Sequence, residues 1–268
     1  MECVSLRYLP KQDVSVPCGR CAFCLATKRS DWALRLHYEQ KLHVGSKFVT
    51  LTYADPHLVW KDGNPQLHKP HLQEFFRNVR GRGAKRKCRY FAVGEYGSKT
   101  FRPHYHVILF GDISDDVIRK AWKYGNVHIG SVTDASIMYC LGYVINGSNW
   151  KMAKDRVRPF ATMSRRPGLG ANYLTPAMIE WHKSDRKNYA ILDGVKRHLP
   201  RYYKEKIFDK RDRMWIAMRA GKEHYEKMVA WVRSRAMRKQ KDPLAYRDEQ
   251  LRRLAQRIRC KTKSNLII

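Results

Sequence analysis

The stretch RPHYHVILFG at residues 102–111 sets two histidines, His104 and His106, on either side of Tyr105. The run that follows, Val107-Ile108-Leu109-Phe110, is short, apolar and rich in β-formers, so the segment reads as a strand. Side chains two apart on a strand leave the same face, so both imidazoles project together. Neutral histidine is the commonest protein metal ligand, and two convergent imidazoles make half of a metal site. YFAVGEY (90–96) reads as a preceding strand, joined to the first by Gly97-Ser98-Lys99-Thr100. Such a hairpin sets Glu95 roughly across from His104 and brings a carboxylate beside the imidazoles. A mixed oxygen and nitrogen set suits Mg²⁺ or Mn²⁺ bound to a phosphate, and also admits Zn²⁺. The alternative is that these histidines are packed or solvated strand residues.

A second element is Tyr139-Cys140-Leu141-Gly142-Tyr143. In a helix over 135–145, Tyr139 and Tyr143 are four residues apart and share a face. A phenol, with a pKa near 10, is a poor nucleophile until a base, a charge or a metal assists it. Once activated it can attack a phosphodiester and hold the 5′ end covalently, and two on one face can alternate. The same spacing also serves plain core packing.

The elements that must position these groups follow from pattern. Helices are expected over 26–42, 67–79, 115–122 and 135–145, and strands over 48–53 (FVTLTY, read as buried), 90–96 and 126–132, besides the histidine strand. Strands separated by helices, with one clear hairpin, describe an α+β sheet domain. Beyond about residue 200 the pattern changes to helical segments dense in Lys and Arg, over 207–239 and 244–259.

Composition narrows the partners. The 268 residues carry 54 Lys and Arg against 24 Asp and Glu, a formal charge of +30. Such a charge implies a polyanionic partner, nucleic acid before an anionic membrane, because no apolar run approaches the ~20 residues that span a bilayer. The N-terminal residues lack the apolar centre of a signal peptide. Seven cysteines, an odd number, suit a reducing compartment better than a disulfide framework. Three of them, Cys18, Cys21 and Cys24, are spaced CxxCxxC, which fits a structural Zn²⁺ site lacking its fourth ligand. Cys3, His37, His43 or Cys88 could complete it, and spacing does not choose; buried free thiols are the other reading. Arg165 and Arg166 lie in SRRPGLG, a loop able to grip phosphates, or else a plain surface loop. Thr50 and Thr52 of FVTLTY either touch DNA or pack.

Taken together, FVTLTY, the HxH strand and YxxxY, in that order, resemble the three motifs of HUH rolling-circle replication initiators. The likeness extends to the replication initiators of single-stranded DNA microviruses of the gokushovirus type. It is carried by PCGRCAFC (17–24), WALRLHYE (32–39), FVTLTY, FAVGEYG (91–97), RPHYHVILFG, YCLGYV (139–144) and SRRPGLGANY (164–173). The resemblance implies a five-stranded antiparallel sheet flanked by helices, a divalent metal on His104 and His106 with a polar third ligand, and Tyr139 and Tyr143 as the nucleophile pair. Glu95 as that third ligand rests on the hairpin. The family's lysine soon after the second tyrosine is absent; Ile145-Asn146-Gly147 follows, and the next lysine is Lys151, a further candidate for DNA contact.

The expected organisation is a Cys-rich segment and helix over 1–46, a nuclease core over 47–200 and a basic helical region over 201–268. The expected activity is an endonuclease that nicks single-stranded or unwound origin DNA, forms a 5′-phosphotyrosine link and rejoins the strand in the cytoplasm of a bacterial host. With no GxxxxGK[ST] phosphate loop, ATP binding is not expected, and unwinding and synthesis fall to a host helicase and polymerase. A non-catalytic nucleic-acid-binding protein is the rival from another class. A plasmid initiator, a relaxase or a transposase is the rival within the chemistry.

Overall fold

The computed structural model describes residues 3, 6–12, 14–81, 88–146, 156–236, 249 and 252. In chain order the first elements are β1 (Arg7–Leu9), β2 (Val14–Val16), α1 (Ala22–Lys41), β3 (Lys47–Thr52), β4 (Val59–Lys61), β5 (Asn64–Gln66) and α2 (Lys69–Arg80). Then come β6 (Arg89–Tyr96), β7 (Pro103–Phe110), α3 (Asp115–Ala121), β8 (Val127–Ser131), α4 (Asp134–Asn146) and β9 (Phe160–Met163). The last are α5 (Pro176–Lys183), β10 (Tyr189–Leu192), β11 (Val195–His198), α6 (Arg201–Ile207) and α7 (Lys210–Ala236). The chain divides into two compact units, residues 32–173 and residues 1–31 with 174–268.

The first of these units is built on a five-stranded antiparallel sheet in the order β8-β3-β7-β6-β9. Strand alternation gives each face its own core. Val49, Leu51, Tyr105, Val107 and Leu109 pack with Leu72, Phe75, Phe76 and Val79 of α2 and Ile118 and Ala121 of α3. Phe91, Val93, Ile108 and Phe110 pack with Leu36 of α1 and Ile137, Cys140 and Leu141 of α4. Covered on both sides, β7 buries Val107 to Phe110 completely, which is why that run is apolar without a break. Each fully buried side chain of this size contributes about 1.5–3 kcal/mol. FVTLTY is instead half-buried: Val49 and Leu51 are interior, while Phe48, Thr50 and Thr52 face the opposite side, partly open.

The segment between α3 and β8 is held against the end of β3. Thr52 N donates to Asn126 O at 3.0 Å, Ala54 N to Tyr124 O at 2.8 Å, and the Trp122 indole to Thr52 O at 2.9 Å. Gly125 sits so close that a Cβ there would lie 2.3 Å from Thr52 O and 2.5 Å from Ala54 N.

Several elements depart from the sequence reading. Helix α1 begins at Ala22, so CAFC is already helical and Cys24 lies in its first turn. Strand β9, unexpected, pairs with β6 as a short edge whose four residues are all only partly buried. The β10–β11 hairpin turns on Asp193-Gly194, both at positive φ, a two-residue Asp-Gly turn legible in the sequence but passed over. The single helix expected over 207–239 is two, because Asp209 caps α7 by accepting from Asp212 N at 2.7 Å. The helix expected over 244–259 lies outside the described residues except for Glu249 and Arg252, and Lys151 lies outside them altogether.

Candidate active site

The register of β6 and β7 pairs Glu95 with His104, and that of β3 and β7 pairs Thr50 with His106 and Thr52 with His104. These residues share the face covered by α4. Glu95 Oε1 lies 2.7 Å from His104 Nε2 and 2.8 Å from His106 Nε2, so both imidazoles converge on one carboxylate oxygen. Glu95 is 3% exposed and His106 5%, so the group is sunk below the surface, with only His104 partly open.

The outer nitrogens are equally fixed. His104 Nδ1 is 3.2 Å from Arg102 O, and a carbonyl only accepts, so that nitrogen carries a proton. In the neutral ring this leaves the Nε2 lone pair aimed at the cluster. His106 Nδ1 is 3.0 Å from Thr50 Oγ1, which can play the same part. Arg102 is held in turn, its guanidinium donating to Tyr53 O at 2.6 Å and to Asp55 Oδ1 at 2.6 Å. Burial works against protonating His104, but the hydrogen bond and charge of Glu95 outweigh it and raise its pKa above the usual value. Around His106 burial prevails over Glu95 and lowers it.

Two nitrogens and a carboxylate oxygen, all within 4.8 Å of one another, fit a divalent cation. The fit is supported by the outer hydrogen bonds, which orient both rings as the ligands of a metal site are oriented. Glu95, His104 and His106 are the residues that would hold the ion, with positions left for substrate oxygens.

Helix α4 brings Tyr139 to this cluster. Its ring meets the His106 imidazole edge to face at 4.9 Å between centroids and that of Phe48 at 6.4 Å. Phe48 itself stacks parallel on His106 at 5.7 Å. Tyr139 is 39% exposed, open to a ligand above the sheet face. Tyr143 follows one turn later in α4, and its side chain lies outside the described ones. Tyr105, although it separates the two histidines in sequence, points to the other face. There its hydroxyl donates to His68 O at 3.0 Å, and burial pushes its pKa up to about 12.

Arg165 and Arg166 are exposed on a loop whose base is pinned to its own unit. Arg89 Nη2 donates to Pro167 O at 2.8 Å, Arg35 Nε to Leu169 O at 3.0 Å, and Gly170 N to Glu39 Oε2 at 2.7 Å. Glu39, 2% exposed, also pairs with Arg89 and with His43 at 3.1 Å. Thr52 is partly open beside His104, its hydroxyl 3.4 Å from Asn126 O.

The sequence reading missed three neighbours of the cluster. Thr50 bonds His106, Phe48 stacks on it, and His128 lies exposed on β8 directly across from Thr50. The alternation of FVTLTY and of VHIGS carries that signal, but only once the register between distant strands is known.

Fold and cluster define an α+β protein with a candidate divalent-metal centre facing a helix-borne tyrosine. Residues 46–148, which contain the whole of that centre, match the family model for replication-associated proteins of the ORF2 type. The chain is 27% identical over 244 residues to replication-associated protein VP4 of Bdellovibrio phage phiMH2K, covering 82% of this chain and 76% of that one. It is 29% identical over 224 residues to replication-associated protein ORF2 of Spiroplasma virus 4 (75% and 69% covered). It is 27% identical over 218 residues to replication-associated protein ORF4 of Chlamydia phage 1 (71% and 53%). These likenesses bear out the resemblance to microvirus replication initiators. Among solved structures, the crystal structure of the hypothetical protein ORF119 from Sulfolobus islandicus rod-shaped virus 1 aligns with 45% of this chain and 96% of that one, at 13% identity and a TM-score of 0.30. A likeness that slight carries no weight for the fold. No helix among the described residues is long and apolar enough to cross a membrane.

Proposed function

We propose that this protein initiates rolling-circle DNA replication, cutting one strand at an origin and later rejoining it through a tyrosine. The observation that carries the reading is Tyr139, partly exposed and set edge-on against His106 in the Glu95, His104, His106 cluster. The names of the similar phage proteins support a part in replication.

Bound there, Mg²⁺ or Mn²⁺ would act as a Lewis acid and template for the scissile phosphate. Single-stranded or unwound DNA lies across the open end of the sheet, with Thr52, Arg165 and Arg166 toward its phosphates. The Tyr139 oxygen attacks phosphorus in line and its proton is lost. The bond to the 3′ oxygen breaks, the 3′-OH departs, and a 5′-phosphotyrosine remains. Phosphate ester is exchanged for phosphate ester, so the bond energy is kept for rejoining. Tyr143, one turn along α4, is the second nucleophile. Thr50 and the Arg102 carbonyl act through the histidines, holding each ring with Nε2 inward.

A labelled origin oligonucleotide incubated with the protein and Mn²⁺ or Mg²⁺ tests this. A denaturant-resistant adduct is expected, mapped to the peptide bearing Tyr139 or Tyr143 by mass spectrometry. It should vanish with EDTA and in His104→Ala or His106→Ala, while DNA binding persists. Tyr139→Phe retains part of the adduct if Tyr143 substitutes and loses it all if Tyr139 alone attacks first. A verified origin that is bound but never cut would leave a non-catalytic DNA-binding protein.

A further inference from the structure

The structure answers a question that the CxxCxxC spacing leaves open. Four thiols, Cys3, Cys18, Cys21 and Cys24, meet in the unit that contains residues 1–31, all four sulfurs within 4.8 Å of one another. Cys21 Sγ is 3.8 Å from Cys3 Sγ, and Cys18 Sγ is 4.0 Å from Cys24 Sγ. Four sulfurs around one zinc, each at about 2.3 Å, stand about 3.8 Å apart along the edges of a tetrahedron. Bonded disulfide sulfurs would stand about 2.05 Å apart. The thiolates of an iron–sulfur cluster sit on different irons and so stand farther apart than ligands of one ion. The separations fit one mononuclear tetrathiolate.

Local backbone geometry points the same way. Cys21 N lies 3.3 Å from Cys18 Sγ, and Cys18 N lies 3.1 Å from Cys3 Sγ. Hydrogen bonds donated by backbone N–H groups to sulfur favour the thiolate that binds metal. The turn that aims Cys18 and Cys21 at one point passes through Gly19 at φ +74°, a left-handed conformation that glycine adopts without strain. From there α1 begins, and its first turn delivers Cys24. The competing fourth ligands are engaged elsewhere. His37 Nδ1 is 3.8 Å from Asp134, His43 Nε2 is 3.1 Å from Glu39, and Cys88 Sγ donates to Arg89 O at 3.7 Å.

We propose that Cys3, Cys18, Cys21 and Cys24 bind one structural zinc. Four protein sulfurs close the coordination sphere, so no position remains for water or substrate, and the role is to cross-link. Zinc binding displaces the thiol protons to solvent, and its binding energy becomes folding energy for this segment. The ion joins the chain ahead of β1 to the start of α1. The β1–β2 hairpin between them has strands of three residues each, too short to stand alone.

The test uses the full-length protein purified under reducing conditions without chelator. Elemental analysis should find one zinc per chain, unchanged in the His104→Ala/His106→Ala double variant, so the outcome does not depend on the nicking reading. An organomercurial should release that zinc in step with modification of four thiols. Cys21→Ser should lower the zinc content from one equivalent to near none. As a check that survives misfolding of that variant, Co²⁺ exchanged into the wild-type protein should show the charge-transfer and d–d absorption of a tetrahedral tetrathiolate. Cys3→Ser should shift that spectrum toward three sulfurs, whereas His37→Ala, His43→Ala and Cys88→Ser should not. Zinc-free native protein with freely reactive thiols, stoichiometric iron instead of zinc, or zinc retained in Cys21→Ser would each overturn the proposal.

Discussion

Replacing Thr50 with valine tests how the candidate centre is held together. Valine has nearly the shape of threonine, so β3 should keep its pairing with β7 and only the 3.0 Å contact from Thr50 Oγ1 to His106 Nδ1 is removed. With Nε2 turned to Glu95 and a cation, Nδ1 carries the proton and loses its acceptor inside a site where His106 is 5% exposed. Removing one partner of a buried hydrogen bond costs about 1–3 kcal/mol. At about 1.4 kcal/mol per tenfold, this corresponds to roughly a tenfold to hundredfold loss of metal affinity. The assay is adduct yield on an origin oligonucleotide as a function of Mn²⁺ concentration, beside calorimetric Mn²⁺ binding without DNA. The half-saturating concentration should rise by about that factor in Thr50→Val and stay near the wild-type value in Thr50→Ser, which keeps the hydroxyl. Equal metal dependence in Thr50→Val and the wild type, with the fold intact, would refute the idea that Thr50 orients His106.

Other expectations concern the frame. Glu39→Ala removes the partner of Arg89, His43 and Gly170 N at once, and breaking such a buried pair costs about 3 kcal/mol, here taken at the low end because Arg89 is partly open. A fall of roughly 6–12 °C in melting temperature should follow; an unchanged transition would mean that solvent replaces those contacts freely. Gly125→Ala forces a Cβ against backbone atoms 2.3 and 2.5 Å away, which cannot rotate aside as a side chain would. The loss should be on the order of 3 kcal/mol by thermal or urea unfolding, and adduct formation should suffer with it because Thr52 lies across from His104. A variant as stable as the wild type would show that the segment at Gly125 re-forms at no cost.

What the sequence determined by itself is whatever a local period can carry. A strand alternates, so His104 and His106 had to share a face and Tyr105 had to take the other. A short hairpin sets its own register, so Glu95 had to fall beside His104. Helical spacing placed Tyr139 and Tyr143 a turn apart on α4. Periodicity fixes a side chain relative to its own element, but not which face of one element meets which face of another. Only tertiary packing decided that α4 covers the histidine face and sets Tyr139 against His106. Only the long-range register of β3 and β7 put Thr50 on His106, across more than fifty residues of chain. The same holds for Cys3, whose place beside Cys18, Cys21 and Cys24 depends on the path of the chain through β1 and β2. Glu39 shows the converse limit: a charged residue in a helix reads as solvated surface, and only the packed structure makes it the buried anchor of the loop that carries Arg165 and Arg166. Local geometry is written in nearest neighbours along the chain, whereas the candidate site is assembled from neighbours in space.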